Sequence, residues 1–125
     1  MNSAKIDSDP NPTLLIIITS DPRSSHRAGE AIRIAAGVGA WKKVDVLVYL
    51  RDAAVLVLGE CPEALVDEGN ISRYLPALGD SNRPVYVQRG APLLVEAGER
   101  ALPVEEIDDA QLAALAASCT YLLRF

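Results

Sequence analysis

Residues 13–50, TLLIIITSDPRSSHRAGEAIRIAAGVGAWKKVDVLVYL, constrain the fold more than any other part of the chain. A wholly apolar strand around Leu14–Ile18 runs into a polar loop, Thr19 to Ser25. An alanine-rich helix over about 26–40 follows, with Ala28, Ile32, Ala35 and Gly39 on one face and Arg27, Glu30 and Arg33 away from it. A second apolar strand, Val44 to Leu50, completes a βαβ unit. Strands that are apolar on both faces belong in the middle of a parallel sheet covered by helices on both sides. In such sheets ligands sit where strands end and helices begin, so the polar loop is bracketed as chemically interesting at once.

The rest of the chain continues the alternation. Arg51-Asp52 interrupts the apolar run, and residues 53–59, AAVLVLG, read as a short buried helix with Asp52 at its cap. Asn70 is placed to cap a short helix, Ile71 to Leu75, which Pro76 disturbs. Pro84 to Gln88 makes another strand, and Pro92 opens a helix to about Ala101. Val104 to Ile107 is a short strand. Asp108 then starts a helix with a capping-box spacing to Gln111 and a staple from Ile107 to Leu112. CTYLLRF reads as a final strand. The expected architecture is therefore a three-layer α/β/α domain over residues 13–125, with a mostly parallel five-stranded sheet. Residues 1–12, polar and broken by prolines, read as a flexible tail.

Composition excludes several classes. The net charge of −5 argues against a nucleic-acid binder and against adhesion to anionic membranes. No apolar run approaches the roughly 18 residues of a membrane span. Cys61 and Cys119 stand in no metal-ligand spacing, so no metal or other cofactor is expected. The absence of an export signal predicts free thiols in a reducing cytoplasm. SDPRSSHRAG after the first strand is not a dinucleotide fingerprint, and no Walker loop occurs. Asp21 and Asp52 are only superficial counterparts of receiver-type phosphoacceptor acids.

Four segments, LLIIITSDPRSSHRAGEAIRIAAG, VDVLVYLRDAAVLVL, ISRYLPALGDSNRPVYVQRG and VEEIDDAQLAALAASCTYLLRF, carry a resemblance in their order and spacing. The chain resembles the DsrE/DsrF-like family of sulfur-relay proteins, which includes the DsrEFH and TusBCD subunits. The resemblance implies a compact α/β domain that assembles as a homo-oligomer or as a hetero-oligomer with related subunits. It also implies that active carriers hold a persulfide on a cysteine near the end of the strand matching PVYVQ. Here that place falls on Gln88, and no cysteine occurs from Tyr86 to Pro92. An amide cannot hold a sulfane sulfur, so the carrier role does not transfer, and the chain resembles the family's structural partners instead.

The candidate site residues lie at the strand ends: Asp21, Arg23, Ser24 and Ser25 after the first strand, Arg51 and Asp52 after the second, and Gln88 and Arg89 after the third. Read functionally, helix N-termini and arginine forks receive a small anionic ligand. Read structurally, the same residues cap helices and pair on the surface. Cys61, in an irregular segment beside Glu60 and Glu63, is the alternative sulfur carrier, although the acids would raise its pKa. Cys119 reads as a small core residue. His26 is the sole histidine, and its nearness to Ser24 and Ser25 in sequence does not make a triad. An exposed Trp41 or Tyr74 would mark a protein interface. The chain thus reads as a non-catalytic partner in sulfur transfer. The alternatives are a carrier through Cys61, or a small enzyme acting on an anion through Arg23, Arg51 and Arg89.

Overall fold

In the computed structural model, which describes residues 11–59, 62–79, 84–95 and 102–125, the strands are β1 (Thr13–Ile18), β2 (Asp45–Leu50), β3 (Val85–Gln88), β4 (Val104–Ile107) and β5 (Tyr121–Arg124). The helices are α1 (Arg27–Trp41), α2 (Glu68–Leu78) and α3 (Asp109–Ser118). Short 3-10 turns occupy Asp52–Leu58, Pro62–Ala64 and Pro92–Leu94.

Every strand pair is parallel, and the sheet order is β4-β3-β2-β1-β5. The chain therefore steps β1 to β4 in one direction and then returns across the sheet to β5. Right-handed crossovers place helices on one face during the outward steps and on the other face during the return. The packing follows that rule. Leu14, Ile16, Ile18, Val48, Leu50, Val85 and Val87 turn toward α1 and α2, where Ala28, Ala31, Ile32, Ala35, Ile71 and Leu75 meet them. Leu15, Leu47, Tyr49 and Ile107 turn the other way, against Leu112, Leu115 and Ala116 of α3. The three-layer α/β/α architecture expected from the sequence is the one observed, with a sheet that is parallel throughout.

The two faces are covered unequally. The α1/α2 face holds the main core. On the other side α3 has no fully buried residue at all.

Several local expectations need correction. The helix around Tyr74 spans Glu68–Leu78, and Pro76 lies inside it. Proline is tolerated there because it falls in the last turn, and the carbonyl its missing N–H would have bonded belongs to exposed Ser72. Asn70 is not the cap. It sits one turn in and donates its side-chain amide to Asp67 Oδ2 at 2.9 Å. Asp52 does not cap the segment after it but begins that segment at φ 54°, with its own N–H turned to Gln88. After Pro92 the described chain makes only a 3-10 turn, and residues 96–101 of the expected helix lie outside the described residues.

Ser25 does act as a cap, accepting the Arg27 N–H at 3.1 Å. The capping box at Asp108 and Gln111 is complete. Of the expected tail, residues 1–10 lie outside the described residues. Asn11 and Pro12 are tied to the domain, through a bond from Asn11 Nδ2 to the Lys42 carbonyl and one from the Asp45 N–H to the Pro12 carbonyl.

Candidate functional site

The strand carboxyl ends carry two polar groups. The first lies on the α3 side. Tyr49 and Arg51 stand two residues apart, so the strand's alternation turns both toward α3. Arg51 Nη1 donates to the Tyr49 hydroxyl at 3.1 Å and to Asp109 Oδ1 at 2.8 Å. Tyr49 is fully buried. Burial pushes its phenol above the usual pKa, and the guanidinium only partly offsets that. Arg51 holds the Asp109 carboxyl below the ordinary carboxylate range, and is itself held more firmly protonated by the carboxylate and the phenol.

One residue earlier, Asp108 Oδ2 lies 3.6 Å from Arg89 Nη1, and Arg89 also donates to the Glu106 carbonyl at 3.4 Å. The N-terminus of α3 thus presents consecutive aspartates to the arginines that follow β2 and β3. Gln88 completes the group: its Oε1 accepts the Asp52 N–H at 2.9 Å, joining the end of β3 to the turn after β2.

The second group forms beside α1. Asp21 Oδ1 accepts the Arg23 backbone N–H at 2.9 Å, and its carboxylate is forked by the Arg23 guanidinium at 2.9–3.2 Å. That side-chain pairing is the main reason the Asp21 carboxyl is held below its ordinary value. The Asp21 carbonyl accepts the N–H groups of Ser24 and Ser25. The Pro22 carbonyl accepts the Val66 N–H at 2.8 Å, which docks the 65–67 segment on this loop. There Asp67 stands at φ 65° with its carboxylate against the first turns of α1, 4.0 Å from His26 Nδ1. A Cβ at Gly29 would lie 2.5 Å from Asp67 Oδ2, so glycine is required at that approach.

The eight candidate residues therefore fall into a linked set, Arg51, Asp52, Gln88 and Arg89, and a self-paired loop, Asp21, Arg23, Ser24 and Ser25. Each of the three arginines has a carboxylate partner. An incoming anion at Arg51 or Arg89 has to exchange with Asp109 or Asp108.

Tyr49, Asp108, Asp109 and Asp67 belong to these groups and were not singled out as site residues from sequence. The i, i+2 spacing of Tyr49 and Arg51 on one strand was the available signal for the first. No comparable signal in the linear chain places α3 beside the end of β2.

Cys61 lies outside the described residues. Cys119 is a free thiol, half-buried against the α3-side core. The His26 side chain is 75% exposed, and Ser25 Oγ is spent on the Arg27 N–H. Among the described residues no cluster of three or more histidine, cysteine or acidic side chains could hold a metal ion, and no helix is long and apolar enough to cross a membrane. Trp41, by contrast, is 64% exposed, where packing against the core was the simpler expectation.

An all-parallel five-stranded sheet between helical layers, with a polar cluster at its strand carboxyl ends, places this chain among three-layer α/β/α domains. Within that class it is similar to a solved structure, the YchN protein from E. coli, a protein of DsrE/DsrF-like fold. The two share 20% identity over 91% of this chain and 99% of that one, with a TM-score of 0.68. No protein-family model matches the chain, and no curated protein matches it in sequence. The likeness is one of fold.

Proposed function

We propose that this chain is a non-catalytic, oligomeric partner in intracellular sulfur transfer, serving a structural or regulatory role on a DsrE/DsrF-like scaffold. The observation that carries the reading is the segment Ala110–Leu123, fourteen consecutive residues without a charged side chain and the longest uncharged run in the sequence. It forms most of α3 and β5. Ala110, Ala113, Ala114 and Ala117 on the helix are exposed, as are Tyr121, Leu122 and Leu123 on the strand. A contiguous apolar surface of this kind on an acidic protein marks a place where another protein sits.

The strand-end cluster supports the non-catalytic half of the proposal. Its acids are ion-paired, Gln88 is not ionisable, and Ser25 serves the helix. Nothing there is poised as a nucleophile or general base. A second use of the same cleft is suggested by Asp109, whose side chain is 76% exposed and is therefore a partner that a small anion can displace from Arg51.

Incubation with a sulfur donor followed by persulfide-selective labelling tests the reading. The expected result is no stable sulfane sulfur on the chain. Label that is retained by the wild type and lost in Cys61→Ser would instead make it a carrier.

A further inference from the structure

The two edges of the sheet are built differently. The β4 edge, Val104–Ile107, exposes Glu105 and Glu106, the kind of charged edge that rejects strand addition. At the opposite edge all four residues of β5 are exposed, and the only charge is Arg124 at its end.

The backbone of β5 is also divided. Phe125 donates its N–H to the Ile17 carbonyl and accepts the Thr19 N–H, both at 2.8 Å. Alternation along a parallel ladder therefore turns Tyr121, Leu123 and Phe125 toward β1, and turns the backbone groups of Leu122 and Arg124 outward. The outward carbonyl of Arg124 faces the Arg27 guanidinium at 3.5 Å. Leu122 is left presenting an N–H and a C=O together at the centre of the edge.

We propose that two copies of this chain join β5 to β5, antiparallel about a two-fold axis through Leu122, so that the sheet continues from one copy into the next. The proposal rests on the oligomeric reading above and names its partner. A directly opposed antiparallel pair exchanges two N–H···O=C bonds, which is what Leu122 offers. The occupant has to bring an edge strand of its own with an uncharged flank. It gains nothing from positive charge, because the strip from Ala110 to Leu123 holds no acid. With a net charge of −5, two copies repel over most approaches and least across this strip. The chain itself carries the one edge shown to meet these terms, and a two-fold axis makes it self-complementary.

Native mass spectrometry of the wild type, Leu122→Lys and Leu122→Pro tests this, with amide exchange read at Leu122. The wild type is expected to assemble in even-numbered species with a slowly exchanging Leu122 amide. Leu122→Lys puts a charge on a surface position and leaves the fold intact, and it is expected to weaken assembly at least tenfold. Leu122→Pro removes an outward N–H and is expected to do the same. Should the proline variant unfold, the lysine variant decides. Assembly that survives Leu122→Lys, with a fast-exchanging Leu122 amide in the wild type, overturns the edge-to-edge proposal and leaves the oligomeric reading standing. A wild type that is monomeric overturns both.

Discussion

Two glycines in the same helix should respond to alanine in opposite directions. Gly29 and Gly37 both lie in α1, and alanine at an open helical site is favoured by about 0.5–1 kcal/mol. At Gly37 a Cβ would meet nothing within 4 Å, so Gly37→Ala should stabilise by about that amount. At Gly29 the new carbon would stand 2.5 Å from Asp67 Oδ2 and 2.9 Å from Asp67 Cβ and Cγ. The Cβ cannot swing aside, and Asn70 holds the carboxylate at 2.9 Å. Overpacking of this sort costs about 1–3 kcal/mol, leaving Gly29→Ala destabilised by about 1–2 kcal/mol after the helix gain.

The two variants should differ by about 2 kcal/mol, on the order of 1 M in the urea midpoint. Asp67 is at φ 65°, where glycine is at ease, so Asp67→Gly removes the obstacle without straining the turn. In that background Gly29→Ala should lose most of its cost. Equilibrium urea unfolding of the four proteins provides the measurement. If Gly29→Ala stabilises as Gly37→Ala does, and Asp67→Gly makes no difference, then the 65–67 segment does not dock against α1 as described.

Of the four tyrosines, Tyr49 should titrate last, because burial raises its pKa above 10.0. Its stabilising contribution is present below the unfolded value and is lost as pH rises through the folded one. Absorbance titration should show a late phenolate step that Tyr49→Phe removes. At the acid end, the Asp109 carboxyl should titrate below 3.8 through its bond to Arg51, and its contribution is lost as pH falls through the depressed value. Carboxyl NMR should show Arg51→Met returning Asp109 toward the ordinary range while leaving Asp21 unmoved. Asp108→Ala removes the N-cap bond to Gln111 and should cost about 1 kcal/mol in thermal or urea unfolding.

The layers were legible in the sequence because the strands state their surroundings directly. Leu14 to Ile18 has no polar face, and only a doubly covered strand can be built from it. The capping box at Asp108 was legible for a similar reason, since its partners are three residues apart. What the linear chain hid was mostly the result of distant contact. Asp108 and Asp109 reach Arg89 and Arg51 because the return crossover lays α3 over the far face, and nothing local to either aspartate specifies that. Asp52 looks like a cap by type, yet the amide of Gln88 draws its N–H into the strand-end cluster and the residue takes a positive φ. Pro76 looked like a stop, but in a last turn it costs only one bond at the surface. The gap between Gln88 and a relay cysteine was legible from the start, and in the structure Gln88 serves as a hydrogen-bond acceptor to the neighbouring turn.

A native mass spectrum of the full chain, recorded after incubation with a sulfur donor, reads assembly and sulfur loading together. A multiple of the subunit mass with no added sulfur is the result expected of a non-carrier that works through its uncharged α3–β5 strip. A monomer, or a subunit that gains sulfur and loses that ability in Cys61→Ser, would contradict the account.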